Sequence, residues 1–325
     1  MWSNPKPTIT EKDVLDQKGR VFLITGGYAG CGLELAKSLY QLNGTVYIAG
    51  RSAAKASAAI DSIKASAPQS SEETSGQLHF LNLDLADLRI VKASAETFLQ
   101  REKRLDIVWH NAGVMVPPDG SKTAQGLDLQ LGTNAIGPFL LQRFLTPRML
   151  ETASAAAPGA TRVIWLSSNA HAAAPSPDGV NWDDLDMHAQ TGFPARFKRY
   201  GQSKAMNIMY AHEMARRYGP QGLVSLSVHP GSLRTTLQRD LPWAINALFD
   251  LRRSEPRFGG LVELFGGFAS DVSTTMVEDG GRNGGYIVPW GKFEECAKYI
   301  SSGLKKRKTG ERLWDVSEEM VKEYL

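Results

Sequence analysis

The sequence predicts an α/β domain with a doubly wound, parallel, seven-stranded sheet. Short apolar, β-branched runs alternate with stretches of helical period, which is the rhythm of right-handed βαβ crossovers. The strand candidates are 21–25 (VFLIT), 45–49 (TVYIA), 79–84 (HFLNLD), 105–110 (LDIVWH), 162–167 (RVIWLS), 223–229 (LVSLSVH) and 285–289 (GYIVP). Between the first two, residues 32–42 set Leu35, Ala36, Leu39 and Leu42 on one helix face. The rhythm fills the chain to about residue 290, so we read one domain over 19–290, a preceding arm over 1–18 and a helical extension over 291–325. Residues 65–75 and 152–160 are small, polar and Pro-bearing, and are expected to be surface loops.

Composition narrows the function classes. The chain has 325 residues, is 42% hydrophobic and 22% charged, and has a formal net charge of +3, which gives no reason to propose nucleic acid as a partner. The basic run Lys305, Lys306, Arg307 and Lys308 reads as a solvated helix end. Cys31 and Cys296 are the only cysteines, too few for a disulfide framework or a cysteine zinc site. No run approaches the ~18 apolar residues of a membrane span, and the N-terminus has no apolar signal segment, so a cytoplasmic location is expected.

TGGYAGCG, residues 25–32, follows the first strand and opens the first helix. Gly26, Gly30 and Gly32 free the backbone to turn tightly and meet a pyrophosphate at a helix N-terminus, where unpaired N–H groups and the helix dipole favour anions. The spacing differs from G-x-G-x-x-G. After the second strand, Gly50 stands where an acid would bind a ribose 2′-hydroxyl, and Arg51 and Ser52 follow. With no carboxylate to repel a 2′-phosphate and a guanidinium available to bind one, NADP(H) is expected over NAD(H). Asp84 and Leu85, ending the third strand, are expected beside an adenine, although an Asp there is also an ordinary turn residue.

The other strand ends carry His110-Asn111-Ala112-Gly113, Ser167-Ser168, and Pro230-Gly231-Ser232-Leu233-Arg234-Thr235, while Tyr200 and Lys204 share a helix face. Adjacent strand residues face opposite ways, so Ser167 and Ser168 compete for one role. In order and kind these landmarks resemble the classical short-chain dehydrogenase/reductase family over roughly residues 18–290, with a Rossmann-type fold. TGGYAGCG is similar to the family's T-G-x-x-x-G-x-G, HNAG to N-N-A-G, and Tyr200 with Lys204 to Y-x-x-x-K. The narrower likeness, carried by PKPTITEKD and NGGYIVPWG, is to fungal members related to retinol-dehydrogenase-like and WW-domain-oxidoreductase-like enzymes.

The resemblance implies roles. Tyr200 is the acid/base, Lys204 lowers its pKa and holds the nicotinamide ribose, Ser168 binds the substrate oxygen, and Asn134 anchors a water that relays protons to Lys204. Gly26, Tyr28, Gly30, Cys31 and Gly32 form the phosphate loop. Asn111 and Gly113 line the cofactor cavity, Pro230 and Gly231 bind the cofactor, and Thr235 and the backbone at Leu233 fix the carboxamide. The expected reaction interconverts a ketone or aldehyde with an alcohol on a mid-sized apolar molecule, as in fungal secondary-metabolite tailoring. The alternatives are a catalytically silent NADP(H)-binding regulator, which predicts loss of a tetrad member, and a retinoid- or steroid-type alcohol dehydrogenase, which predicts an N-terminal apolar anchor. Neither feature is present.

His110 replaces the first asparagine of N-N-A-G, without expected loss of catalysis. The long insertion 172–193 reads equally as a substrate lip or a plain insertion. Residues 236–253 hold Leu241, Trp243, Ile245, Leu248, Phe249 and Leu251 on an apolar helical face. That face is expected to cover the substrate; a homodimer contact and a membrane-surface helix remain open.

Overall fold

A computed structural model describes residues 6–66, 76–243, 246–247 and 253–325. Strands β1 (Val21–Thr25), β2 (Thr45–Gly50), β3 (Gln77–Asn82), β4 (Ile107–His110), β5 (Thr161–Leu166), β6 (Leu223–Val228), β7 (Tyr286–Val288) and β8 (Lys292–Glu294) form one sheet in the order β3-β2-β1-β4-β5-β6-β7-β8. All neighbours are parallel except β7 and β8. The sheet thus has eight strands where the sequence predicts seven. The eighth is a short antiparallel hairpin return, paired Val288 to Lys292, and lies just past the expected domain end at residue 290.

The strands are buried on both sides, which is why they read as continuous apolar runs. Side chains alternate faces, and β1 divides accordingly: Val21 and Leu23 enter one core, Phe22 and Ile24 the other. β5 repeats this with Val163 and Trp165 against Ile164 and Leu166. Each such side chain contributes about 1.5–3 kcal/mol by leaving water.

The second core is closed by helices α1 (Gly30–Gln41) and α2 (Ala53–Ala65), joined later in the chain by α6 (Pro256–Phe268). On the first core lie α3 (Leu88–Arg101), α4 (Gly137–Ala155), α5 (Gly192–Tyr218), α7 (Lys298–Arg307) and α8 (Thr309–Val321). The loop expected over 152–160 begins later, because Thr152 is buried in the last turn of α4, where its hydroxyl accepts from Leu105 N. Of the loop expected over 65–75, residues 67–75 lie outside the described residues.

The arm folds back on the sheet. Thr8 N donates to Trp290 O at 2.9 Å, and Ile9 and Val14 pack against the second core. Strand order reverses between β1 and β4, the position at which open α/β sheets form their ligand crevice. No described helix is long and apolar enough to cross a membrane.

Candidate active site and cofactor cleft

The crevice is tied together at its base. Asn111, just past β4, donates from Nδ2 to Thr25 O at 2.8 Å, and Ala112 N donates to Thr25 Oγ1 at 2.9 Å. These bonds hold the HNAG turn against the phosphate loop. Gly32 is compelled by the same contact, since a Cβ there would stand 2.5 Å from Asn111 Nδ2. Gly30 has φ +56°, and a Cβ would meet Thr235 Cγ2 at 3.2 Å, so the segment after β6 crosses directly over the loop. The first N–H groups of α1 have no partner within the helix, and the glycines keep side chains clear of them, a cradle suited to a pyrophosphate. Cys31 is buried in that first turn, its thiol pushed well up by burial and by the nearby Glu263.

The side chain missing at Gly50 has a steric reason as well as an electrostatic one: any Cβ there would run into the Tyr28 ring. Arg51 is exposed and lines a cleft of ≈ 810 Å³ together with Lys55, Arg234, Thr235 and Arg239. Ser52 caps α2, its hydroxyl accepting from Lys55 N at 3.3 Å. Asp84 accepts from Ala86 N at 2.9 Å, as a turn residue does, and the Leu85 side chain packs in the core.

At the other end, four predicted side chains come together. Asn134 sits in a π-helical turn, Gly132–Ile136, a form that often marks function. It is 1% exposed; its amide Nδ2 donates to Val114 O at 2.9 Å and to Ser203 Oγ at 3.0 Å, and its Oδ1 accepts from Val114 N at 2.8 Å. A Cβ on Gly113 would lie 3.2 Å from Asn134 Oδ1 and 3.5 Å from Lys204 Nζ, so Gly113 is the gap across which the amide and the ammonium face each other. Lys204 Nζ donates to Leu166 O at 2.8 Å.

Ser167 and Ser168 separate clearly. Ser167 is buried and donates to Lys204 O at 2.8 Å, which ties β5 to α5. Ser168 caps the following turn, accepting from Ala170 N at 3.2 Å and donating to Asn169 Oδ1 at 3.2 Å, and its hydroxyl is near enough to Tyr200 to pull the phenol pKa down.

One expectation is corrected. Lys204 is expected to lower the Tyr200 pKa, but burial pushes Tyr200 up to about 12, with only the Ser168 hydrogen bond pulling it back. Burial likewise brings Lys204 down to about 8, partly offset by Glu263. Desolvation wins because both groups are 4% exposed and Nζ is turned to a carbonyl, 5.7 Å from the Tyr200 ring centre.

Around Tyr200 lies a separate apolar cluster of Met115, Val116 and Ala170, with Phe193, Phe197, Leu237 and Leu241 packed on it. Leu241 is thus in the position expected of the 236–253 segment. Trp243 is not: it is 84% exposed. Ile245, Leu248, Phe249 and Leu251 lie outside the described residues. The 172–193 insertion is bound down: Asn181 N donates to Gln202 Oε1, Gln202 Nε2 donates to Leu185 O, and the Arg312 guanidinium stacks 4.3 Å over Trp182.

After β6, Gly231 has φ +106° beneath the Trp290 ring, and Pro230 enters that turn. Leu233 O accepts from Gln238 Nε2 at 3.0 Å, and Thr235 Oγ1 accepts from Leu237 N at 3.3 Å. His110 is buried, stacked at 4.3 Å on Trp165 and 3.0 Å from Gln142 Oε1, and burial holds it down near pKa 4. Its side chain is thus packed as part of the core.

Two residues escape sequence reasoning. His171, three positions after Ser168, has Nδ1 2.6 Å from Ser168 O, while its Nε2 accepts from Ala297 N at 3.0 Å. Tyr299 Oη donates to His171 O at 2.9 Å. The extension is thereby fastened to the turn that carries Ser168. Glu263, on α6, is fully buried with no hydrogen-bond partner at either carboxyl oxygen, and burial raises its pKa well above the carboxylate range. Its signal in the sequence is a lone acid in the apolar run FGGLVELFGGF.

Comparison with known proteins agrees with this geometry. The short chain dehydrogenase family model matches residues 20–178. A short-chain dehydrogenase/reductase of Phomopsis amygdali is 40% identical over 98% of this chain and 94% of its own length. One from Emericella nidulans is 39% identical over 98% of both chains. A crystal structure of a putative uncharacterized protein from Mycobacterium Paratuberculosis superposes with a TM-score of 0.70 at 26% identity, covering 97% of each chain. Identity at this level along nearly the whole of both chains makes the protein a short-chain dehydrogenase/reductase, an oxidoreductase of a family that works with nicotinamide cofactors.

Proposed function

We propose that the protein is an NADP(H)-dependent oxidoreductase that interconverts a ketone or aldehyde with an alcohol on a mid-sized apolar molecule, as a cytoplasmic tailoring enzyme of fungal secondary metabolism. The observation that carries this reading is the Tyr200 side chain, 4% exposed within an apolar cluster, with Lys204 Nζ 5.7 Å from its ring centre. Cys31 and Cys296 are buried and unpaired, in keeping with a reducing compartment.

The cleft suits the cofactor. Gly30 and Gly32 would hold the pyrophosphate, Arg51 the 2′-phosphate, Thr235 and the backbone near Leu233 the carboxamide, and Lys204 the nicotinamide ribose. When bound, the nicotinamide supplies or accepts the hydride.

The chain's own groups handle the proton. With its pKa at about 12, Tyr200 is a neutral phenol at pH 7, the form that donates from Oη to a carbonyl oxygen in reduction. Ser168 Oγ stabilises the charge developing on that oxygen. Lys204, at about 8, is mostly protonated at pH 7 and titrates close to neutrality, so it can replace the Tyr200 proton by way of Asn134 and solvent. Met115, Val116, Phe193, Phe197, Leu237 and Leu241 exclude water and favour an apolar substrate.

The test is direct. Purified protein with NADPH and a panel of apolar ketones and aldehydes should oxidise the cofactor. Tyr200→Phe should lower turnover by about 10²–10⁴-fold while NADPH affinity stays near wild type. Tight NADPH binding with no turnover across a broad panel would instead identify a non-catalytic cofactor-binding protein.

A further inference from the structure

Two non-glycine residues beside the apolar site are held in the left-handed region of backbone space, Val116 at φ +45° and Met187 at φ +51°. There the Cβ crowds a carbonyl oxygen, so a β-branched or long side chain stays only where surrounding contacts impose the conformation. The other two such residues among those described, Asn43 and Lys308, follow the ends of α1 and α7, where a left-handed residue is an ordinary helix stop. Val116 lies in the chain after β4 and enters the Tyr200 cluster beside Met115. Met187 lies in the insertion that leads into α5, and Phe193 and Phe197, at the start of α5, pack on the same cluster. Strain is thus placed on both segments that border one apolar site.

Both segments are fastened to α5. Arg196 Nη1 donates to Val116 O and Pro117 O, each at 3.3 Å, and Gln130 completes that corner by accepting from Val116 N at 2.9 Å and donating to Arg196 O at 3.0 Å. Nearly one turn later, Arg199 Nη1 donates to Met187 O at 3.2 Å and to Gln190 O at 2.8 Å. Arg199 Nη2 donates to Asp119 Oδ1 at 2.9 Å, and Asp119 Oδ2 accepts from Gly192 N at 2.9 Å. Asp119 therefore joins the first segment to the second twice, once by a charge-assisted bond and once by a backbone bond. Arg199 is buried, with Asp128 Oδ2 3.4 Å from its Nε. Packing does not fill the outer side of the second segment: a cavity of ≈ 380 Å³, lined by Trp182, Met187, Gln190 and Lys198 among others, lies there.

We propose that Arg199 and Asp119 are positioning residues that clamp residues 114–119 and 184–192 as two fixed lips of the substrate pocket, so that the protein selects long apolar carbonyl compounds by a wall formed before they bind. The proposal rests on the carbonyl/alcohol reading above. It makes the insertion a substrate lip. The strain at Val116 and Met187 opposes the clamp, and the outer cavity gives the second lip room to move when the clamp is released. Release widens the pocket without touching Ser168, Tyr200 or Lys204, so it acts on substrate binding and leaves the proton step alone. A short substrate, which does not reach the lips, is indifferent to it.

The test variant is Asp119→Ala, at a side chain that is 37% exposed. Hydrogen–deuterium exchange is followed on peptides covering 113–120 and 184–192, and kinetics with NADPH use decanal and propanal, with 2-decanone and 2-butanone as matched ketones. In wild-type protein both lips should exchange slowly with or without NADPH. In the variant both should exchange at least about tenfold faster. KM for the ten-carbon probe should rise about tenfold with kcat within about threefold, while KM for the short probe stays within about twofold. Asp119→Asn keeps the shape and the Gly192 bond but loses the charge. It should show the same changes to a smaller degree, and it carries the test if the alanine variant does not fold. Unchanged exchange in both variants, or KM values that rise alike for long and short probes, would overturn the clamp and leave the carbonyl reading intact. If wild-type protein binds NADPH and reduces none of the four probes nor any member of the wider panel, the carbonyl reading fails and the specificity role with it.

Discussion

The two ends of the cleft rest on the same sheet edge, yet they hold their charges in opposite ways. At the nucleotide end Arg51 and Lys55 are exposed, and their charge is screened by water and salt. At the chemical end Asn134, Tyr200 and Lys204 are 1%, 4% and 4% exposed, and burial has moved the titration of the last two apart, from 10.0 up to about 12 and from 10.5 down to about 8. A charge change in the wet region alters affinity, modestly and with strong dependence on salt. In the dry region it alters the chemistry and the stability together. Four substitutions test that contrast.

The largest effect is expected from Lys204→Met. Burial disfavours the ammonium, so the native state gives up its proton near pH 8 while the unfolded chain keeps it to about 10.5. The unfolded state therefore binds more protons across that window, and stability rises with pH through it. Below pH 8 the wild-type protein carries the full cost of a buried cation, of the order of 3 kcal/mol from the size of the shift, partly offset by the bond to Leu166 O. The variant should lose turnover yet melt higher than wild type at pH 7, with the difference closing as pH approaches 10.5. Tyr200 and Glu263 are the titrating groups that share this interior; Tyr200 stays neutral through neutral pH, and burial raises the Glu263 pKa well above its usual value. A variant that melts lower than wild type at pH 7 would show that the lysine is stabilising and that burial is not the dominant influence.

The same contrast separates what was legible in the sequence from what was not. β1 is readable because VFLIT feeds two cores at once, and the phosphate loop because glycine is required at Gly30 and Gly32 by contacts with residues far along the chain. Tyr200, Lys204, Ser168 and Asn134 are readable as motif positions, since chemistry ties each residue type to a strand end or helix turn. The titration of Tyr200 was not readable: it depends on how much water the fold removes, and spacing carries no record of that. β8 is three residues of an edge hairpin with no alternation to detect. That Arg234 and Arg239 line the same cleft as Arg51 becomes visible only when the segment after β6 is laid across the glycine loop.

His171 is the intermediate case, a buried group whose effect on chemistry is indirect. As the neutral Nδ1–H tautomer it donates to Ser168 O and accepts from Ala297 N, fixing the serine turn against the extension. His171→Leu leaves Ala297 N unpaired and Ser168 O with only the bond from the residue 171 N–H, at a cost of about 1–3 kcal/mol, and should lower kcat by roughly tenfold by loosening Ser168, with KM little changed. Burial holds the His171 pKa below its usual 6.5, so the native state resists protonation that the unfolded chain accepts. Wild-type stability should therefore decline as pH falls below 6.5, and the variant should lose part of that decline. Equal pH slopes in the two proteins would remove His171 from the account.

The smallest effect is expected on the outer side of the segment after β6. Leu241 packs on the Tyr200 cluster, while Trp243, two residues on, is 84% exposed. If the segment works only through its inward face, Trp243→Ser should leave melting temperature and turnover within about 0.5 kcal/mol of wild type. Leu241→Ala should raise KM for apolar substrates severalfold, because it uncovers the site without touching the tetrad. Sedimentation of the Trp243→Ser protein supplies the other half of the comparison. A solvent-facing tryptophan with no use leaves the sedimentation coefficient unchanged, whereas a dissociating species would mean that this ring is covered by a second copy of the chain. In that event the wet end of the molecule has a dry patch of its own, and the division between the two regions would have to be redrawn at Trp243.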